Sequence, residues 1–114
     1  MLNEQSTLEH AHSAITLLQS AFDDYQKSCF VERPSEFFAL ELCGEAGELA
    51  NLEKKRWKGK TISQEAFADE SADVFIALMN FVNARDINLA SAVIDKLQRI
   101  EAKRVTLLAH GEQY

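Results

Sequence analysis

The sequence has few of the residues that interrupt helices. Its 114 residues include one proline, Pro34, and four glycines. Because proline and glycine are the commonest helix breakers, their scarcity favours long helices over a loop-rich fold. No segment alternates polar and apolar residues with the period of two that a half-buried strand requires. These absences predict an all-α protein.

Cysteine is scarce as well. Cys29 and Cys43 are the two cysteines, too few for a disulfide framework or a cysteine-rich zinc site. No basic segment followed by an apolar run suggests a secretory leader. No stretch approaches the ~20 apolar residues of a membrane span. We therefore expect a protein of the reduced, cytoplasmic compartment with no membrane partner.

The charge balance is acidic, with a net charge of −6 and a pI near 5.0. A uniform nucleic-acid-binding face is therefore not expected, because phosphate binding needs clustered lysine and arginine. A phosphorylated small molecule stays compatible, since a metal ion can bridge two negative partners. The 46% of hydrophobic residues is sufficient for a core, and the length predicts a single domain over residues 1–114.

Apolar residues recur at three- and four-residue steps in four segments. Ser6-Thr7-Leu8-Glu9 fits a capping box at the start of the first segment, and Ser63 is a candidate cap for the third. Helices are thus predicted over residues 7–27, 35–56, 64–85 and 89–108. These four helices predict a four-helix bundle, in which the core is at about 35–108 and the N-terminal helix is at about 7–27.

The second predicted helix carries an acidic stripe. Glu41, Glu45 and Glu48 are spaced by four and three residues, which places them on one helix face. Like charges at these spacings repel by roughly 0.2–0.5 kcal/mol per pair. Gly44 and Gly47 lie in the same stretch, and each costs a helix up to about 1 kcal/mol relative to alanine. We expect compensation from the close approach of another backbone or of a ligand.

The third predicted helix repeats this pattern with Glu70 and Asp73, three residues apart. If the two helices pack side by side, four carboxylates converge, and oxygen ligands in that number suit Mg²⁺ or Mn²⁺. The alternative interpretation is a pair of solvated acidic faces, which are common on helices; it applies most to Glu41.

Two motifs occur in order on these consecutive helices, Glu45-Ala46-Gly47-Glu48 and Glu70-Ser71-Ala72-Asp73, with 21 residues between them. In these residues the chain resembles the MazG-like nucleotide pyrophosphohydrolases of the all-α NTP pyrophosphatase superfamily. Dimeric dUTPases and dCTP pyrophosphatases belong to the same superfamily. The resemblance covers about residues 37–104 and includes the segment from Asn88-Leu89 to Lys96-Leu97.

Two positions depart from the family pattern. Many relatives begin the first motif with two consecutive glutamates. In this chain Gly44 occupies the first of those two positions, as a glycine does in dCTP pyrophosphatase-like members. Ile100 stands where the family often has an asparagine, so the ligand contact made there is not expected in this chain.

The resemblance implies that the chain cleaves a nucleoside triphosphate to the monophosphate and pyrophosphate, as nucleotide-pool house-cleaning, with Mg²⁺ or Mn²⁺. The metal ligands would be Glu45, Glu48, Glu70 and Asp73. Glu45 is our candidate general base, although the sequence does not separate a ligand from a base. The resemblance also favours assembly as a dimer or tetramer.

Candidate substrate contacts lie on the second, third and fourth predicted helices and in the loop that follows the second. Basic side chains that would neutralise the remaining phosphate charge are Lys55, Lys58, Lys96 and Lys103. Side chains that would hydrogen-bond or stack on the base are Asn80, Phe38 and Trp57. For each of these the competing interpretation is a solvated lysine or an ordinary core residue.

Two other functions remain open at this point. The first is a non-catalytic helical interaction module whose acids hold a structural divalent ion or a basic partner. The second is a di-iron four-helix protein, which would need Glu-x-x-His motifs. No histidine lies between His12 and His110, so we rank this second alternative low.

The sequence also carries more apolar residues than four helices can bury alone, which predicts a homotetramer built as a dimer of dimers. The residues that motivate this are Leu17, Leu18, Phe75, Ile76, Leu78, Met79, Phe81 and Val82.

Overall fold

The computed structural model describes residues 5–114, and in that range all regular structure is helical. The helices are α1 (Gln5–Cys29), α2 (Ser35–Trp57), α3 (Gln64–Ala84) and α4 (Leu89–Ala109). The prediction of an all-α fold with four helices is confirmed, and every predicted helix end lies within two residues of the observed one.

Local hydrogen bonds explain where α3 and α4 begin. The Ser63 hydroxyl accepts a hydrogen bond from the Ala66 backbone N–H at 3.1 Å. The Asn88 side chain accepts one from the Ser91 backbone N–H at 2.9 Å. Each side chain thereby satisfies a backbone donor that the first helical turn leaves unpaired. Ser63 was predicted as a cap, and this is confirmed.

The start of α1 differs from the prediction. The described part of α1 begins at Gln5, so Ser6 and Thr7 are already helical. A cap residue must lie outside the helix with non-helical backbone angles. The predicted Ser6-Thr7-Leu8-Glu9 capping box is therefore wrong.

The chain divides into two compact units. One contains the part of α1 up to Ala21 together with Ile87 to Tyr114, and the other runs from Phe22 to Asp86. We call them the α1–α4 unit and the α2–α3 unit.

In the α1–α4 unit, one buried polar side chain of α1 forms hydrogen bonds with the backbone at the start of α4. The amide of Gln19 donates to the Ile87 carbonyl at 2.6 Å and accepts from the Leu89 backbone N–H at 3.0 Å. Gln19 is 8% exposed, so these bonds satisfy a side chain that would otherwise be costly to bury.

In the α2–α3 unit, α2 and α3 pack against each other, with Phe38, Ala77, Met79 and Val82 buried. The helix pairing that the acidic motifs required is thus present. Between these helices, Gly59 adopts a left-handed φ of +101°, which allows the chain to turn sharply after Trp57.

Among the described residues, Cys29 and Cys43 are free and exposed. No helix in residues 5–114 is long and apolar enough to cross a membrane.

Candidate metal centre

The packing of α2 on α3 brings acidic side chains from both motifs together. Glu45 on α2 and Glu70 and Asp73 on α3 are each partly buried. Each offers a carboxylate oxygen, and the three oxygens all lie within 4.8 Å of one another. We call these three residues the carboxylate triad.

Glu48 lies beside the carboxylate triad rather than within it. Its side chain is exposed, and its carboxylate is not among the oxygens that meet within that distance. It is nevertheless close enough to share a hydrogen bond with Glu45 or with Glu70 when one partner is protonated. The structure therefore places all four predicted carboxylates in one neighbourhood, with Glu48 at its exposed edge.

The environment favours the protonated form of two of these acids. Desolvation is the main cause that raises the pKa of Glu45, followed by the charges of Asp73, Glu48 and Glu70 and by the hydrogen bond with Glu48. Desolvation also leads in raising the pKa of Glu70, with Glu48, Asp73 and Asp69 adding to it. Burial and like charges both oppose ionisation, so the ionised forms of Glu45 and Glu70 are disfavoured at this site.

No cation among the described residues relieves that charge. The ion pairs of residues 5–114 join Lys27 to Asp23, Arg56 to Glu53, Arg99 to Asp95 and Arg104 to Glu101. Oε2 of Glu45 and Oε2 of Glu70 are buried and accept no hydrogen bond. Buried acceptors without a donor are uncommon in folded proteins and call for an explanation.

The donor set and its unpaired oxygens fit a hard divalent cation. Mg²⁺ and Mn²⁺ bind carboxylate oxygens, and a cation would satisfy the two buried acceptors while screening the repulsion. The chemistry of these residues therefore matches the metal that the sequence motifs imply.

Within residues 5–114, no close contact is found at the two glycines of α2. A Cβ atom added at Gly44 or at Gly47 would meet nothing within 4 Å. Of the two expected compensations, the close approach of another backbone is not found within residues 5–114, and the approach of a ligand stays a prediction. The space beside Glu45 and Glu48 remains open to a ligand or to another molecule.

Two of the predicted phosphate-binding lysines belong to the α2–α3 unit and two to the α1–α4 unit. Lys55 and Lys58 are exposed at the end of α2, and neither forms an ion pair with a carboxylate in residues 5–114. Lys96 and Lys103 lie on α4, in the α1–α4 unit. The Lys103 ammonium is 4.9 Å from the ring centroid of Tyr114. Their phosphate-binding role stays a prediction.

The predicted base-contact residues separate into two groups. Phe38 and Asn80 line the same clefts of the α2–α3 unit. Trp57 is 78% exposed at the end of α2 and does not line those clefts. The clefts also contain residues that the sequence analysis missed, among them Arg33 and Phe30. The sequence signal that could have identified them was their place in the segment around Pro34, just before the aromatic pair Phe37-Phe38.

Comparison with known proteins finds no matching family model, no similar curated protein and no similar solved structure. The arrangement of the side chains and the motif resemblance are therefore what bears on the function.

Proposed function

We propose that this chain is a metal-dependent nucleoside triphosphate pyrophosphohydrolase that converts (d)NTP to (d)NMP and pyrophosphate. The observation that carries the proposal is the carboxylate triad, assembled from two helices with two buried oxygens that have no hydrogen-bond donor. The order and spacing of the two motifs resemble those of MazG-like enzymes. This resemblance supports a nucleoside triphosphate as the substrate.

In this proposal Glu45, Glu48, Glu70 and Asp73 hold Mg²⁺ or Mn²⁺. The bound ion would supply positive charge for the triphosphate oxygens and lower the pKa of an attacking water. The acidic side chains determine where the ion and its positive charge would be held, because α2 and α3 are already packed together before any ligand binds. Preorganisation of this kind reduces the cost of assembling the reacting groups.

Glu45 is our candidate for proton transfer. Its carboxylate belongs to the triad that would hold the ion, so it would lie beside a water bound there, as a general base must. It would take a proton from water as the water oxygen bonds to phosphorus. The phosphorus–oxygen bond to the leaving pyrophosphate then breaks.

The test is pyrophosphate release from a panel of NTPs and dNTPs by the purified protein. We expect release in Mg²⁺ and none in EDTA. Glu45→Gln should abolish release, whereas Glu65→Gln, which alters an exposed glutamate on α3, should retain it. If the protein binds the ion but releases no pyrophosphate from any nucleotide, the alternative of a non-catalytic module with a structural ion is favoured. Absence of both would reject the metal site itself.

We also propose that the chain assembles as a homotetramer. Leu17 is 72% exposed and Leu18 44% exposed on α1, and Phe75 and Ile76 are 41% and 42% exposed on α3. Met79 and Val82 are buried within the chain, so they do not contribute to this argument. Light scattering at micromolar concentration tests it: a mass near the 12.8 kDa of one chain would refute assembly, and a dimer mass would retain an interface without the tetramer.

A further inference from the structure

The end of α2 and the turn after it carry a cluster of positive charge. Residues 54–60 contain five of the 12 lysines and arginines of the chain and no acidic residue: Lys54, Lys55, Arg56, Lys58 and Lys60. We call residues 54–60 the basic turn. The rest of the chain has seven cations against 18 acids, a net charge of −11. The overall charge of −6, which argued against a uniform nucleic-acid-binding face, therefore conceals a local concentration of cations.

Backbone hydrogen bonds hold the basic turn in a fixed shape. The Lys60 N–H donates to the Lys55 carbonyl and the Gly59 N–H donates to the Arg56 carbonyl, each at 3.0 Å. With Gly59 at a φ of +101°, this is the Schellman arrangement that ends many helices. The chain thus folds back at the end of α2 and keeps the backbone of Lys60 beside Lys55 in the last helical turn.

The charges of the basic turn are largely available to a partner. All of residues 54–60 are exposed. Within residues 5–114, Arg56 pairs with Glu53, and the lysines of the basic turn form no ion pair. A favourable interaction with the helix dipole accounts for cations in the last turn of α2. It does not account for Trp57, a large aromatic side chain that is 78% exposed between Arg56 and Lys58.

Trp57 lies apart from the two places where a nucleotide was expected to bind. It follows Glu48 by nine residues on α2, a rise of about 13 Å, and it lines neither cleft that contains Asn80. In the described part of the chain, its indole contacts no other ring and no cation. An exposed ring among cations is the combination that binds single-stranded nucleic acid, because the ring stacks on a base while the cations neutralise phosphates.

We propose that the basic turn binds single-stranded nucleic acid, with a base stacked on Trp57 and the backbone phosphates paired with its lysines. A duplex fits less well, because its bases are stacked on each other and present no free face to the indole. A membrane surface fits less well, because interfacial helices insert an apolar face. Lys54, Lys55 and Arg56 are consecutive and therefore distribute charge around the end of α2 instead.

The acidity of the rest of the chain limits this contact without excluding it. At physiological salt, exposed charges farther than about 8 Å apart are largely screened. Binding to single strands weakens with salt by a logarithmic slope of about −0.7 per neutralised phosphate. Contacts from the four lysines of the basic turn therefore predict a slope of about −3.

Trp57 is the only tryptophan of the chain, so its fluorescence reports on this site directly. The experiment titrates the protein in EDTA with single-stranded dT and U oligonucleotides of about 12 nucleotides. We expect quenching of Trp57 that weakens with salt at the predicted slope, and the stronger of the two strands identifies the sugar. A duplex of the same length, dTMP and phosphatidylserine–phosphatidylcholine vesicles should each bind at least about tenfold more weakly.

Anisotropy of a fluorescein-labelled strand then compares variants. Replacing Lys58 and Lys60 together by alanine should weaken binding about tenfold or more and make the salt slope shallower by about 1.4. Trp57→Leu should weaken binding about tenfold, and Trp57→Phe, which keeps a ring, should weaken it less. The matched control is Arg85→Ala, which removes an exposed cation at the far end of α3 and should bind as the wild type does.

Several results would overturn the proposal. These are an absence of quenching, a duplex or vesicles bound as tightly as the strand, and an equal loss of binding in Arg85→Ala and in the double lysine variant. Equal quenching by dTMP would also overturn it and would return Trp57 to a mononucleotide site. The inference does not depend on the proposed function, since the titration needs neither metal nor turnover. Its failure leaves pyrophosphate release unaffected, and the absence of pyrophosphate release leaves this test intact.

Discussion

In the α1–α4 unit, Asp95 pairs with Arg99 and Glu101 pairs with Arg104, each one turn along α4. In the α2–α3 unit, Glu45 and Glu70 face other carboxylates instead. The pKa values follow these surroundings. The Arg104 guanidinium holds the pKa of Glu101 below its ordinary range, whereas desolvation and neighbouring acids raise the pKa of Glu45 and Glu70.

This difference separates acids that a helix surface accommodates from acids that need an external partner. Exposed ion pairs such as those of α4 contribute little to stability and indicate no ligand. Partly buried acids that repel each other oppose folding unless a bound cation compensates. Groups with perturbed pKa values cluster at functional sites, and in this chain the geometry of the carboxylate triad supports the same interpretation.

The largest effect is expected from Asp73→Ala. We expect turnover to fall by at least about a hundredfold, the scale on which one preorganised electrostatic group acts. The metal-free protein should be no less stable than the wild type, because a repelling charge is removed. Pyrophosphate release and circular dichroism in EDTA measure the two effects.

The matched control is Asp24→Ala, which removes an exposed aspartate of α1 within the same unit. It should leave turnover within about twofold of the wild type, since surface substitutions away from special features usually have small effects. Wild-type turnover in Asp73→Ala would remove Asp73 from the site and with it the contrast between the two units.

How far the sequence predicts this arrangement depends on the kind of interaction. Local rules suffice for the helix bounds and for the Ser63 cap, because they depend on neighbours in the chain. The acidic motifs predicted the triad because residues three or four apart lie on one face of a helix. The packing of α2 on α3 then brings Glu45 close to Glu70 and Asp73.

Other features depend on packing between helices and were not predictable from local patterns. Glu48 has the same spacing signal as Glu45, yet it remains exposed beside the triad. Arg33 and Phe30 were missed because the sequence does not show which residues line the clefts of their unit. The sequence also left open whether a backbone or a ligand approaches Gly44 and Gly47, and packing within residues 5–114 supplies no backbone there.

The second effect is stabilisation by Mg²⁺. An ion that binds only the folded state stabilises it by about 2.7 kcal/mol at a hundredfold excess over its dissociation constant. We expect the melting temperature to rise with Mg²⁺ in the wild type and to stay flat in Glu70→Gln. Asp95→Asn, which removes an acid of the α1–α4 unit, should retain the full rise. An equal rise in all three proteins would show that the ion acts outside the carboxylate triad.

The third effect is an opposite pH dependence for one acid in each unit. Glu70 has a raised pKa, so its contribution to stability is present below the ordinary carboxyl range and is lost as pH rises through the raised pKa. Glu101 has a lowered pKa, so its contribution is present above the ordinary range and is lost as pH falls through the lowered pKa.

Urea denaturation in EDTA across the acidic to neutral range measures this contrast. Relative to the wild type, Glu70→Gln should gain stability as pH rises, and Glu101→Gln should lose it. Parallel pH profiles for the two variants would contradict the opposite environments of the two carboxyls.

The smallest effect is expected from Gly47→Ala, between two acids of the first motif. Alanine favours a helix over glycine by up to about 1 kcal/mol, and the added methyl group meets nothing within 4 Å in the described part of the chain. The isolated chain should therefore become slightly more stable in EDTA. Asn51→Ala, at an exposed position on the same helix, reports the gain in helix propensity alone. If turnover or assembly falls in Gly47→Ala but not in Asn51→Ala, the open space serves a ligand or a second molecule. If both variants behave alike, the glycine has no such role.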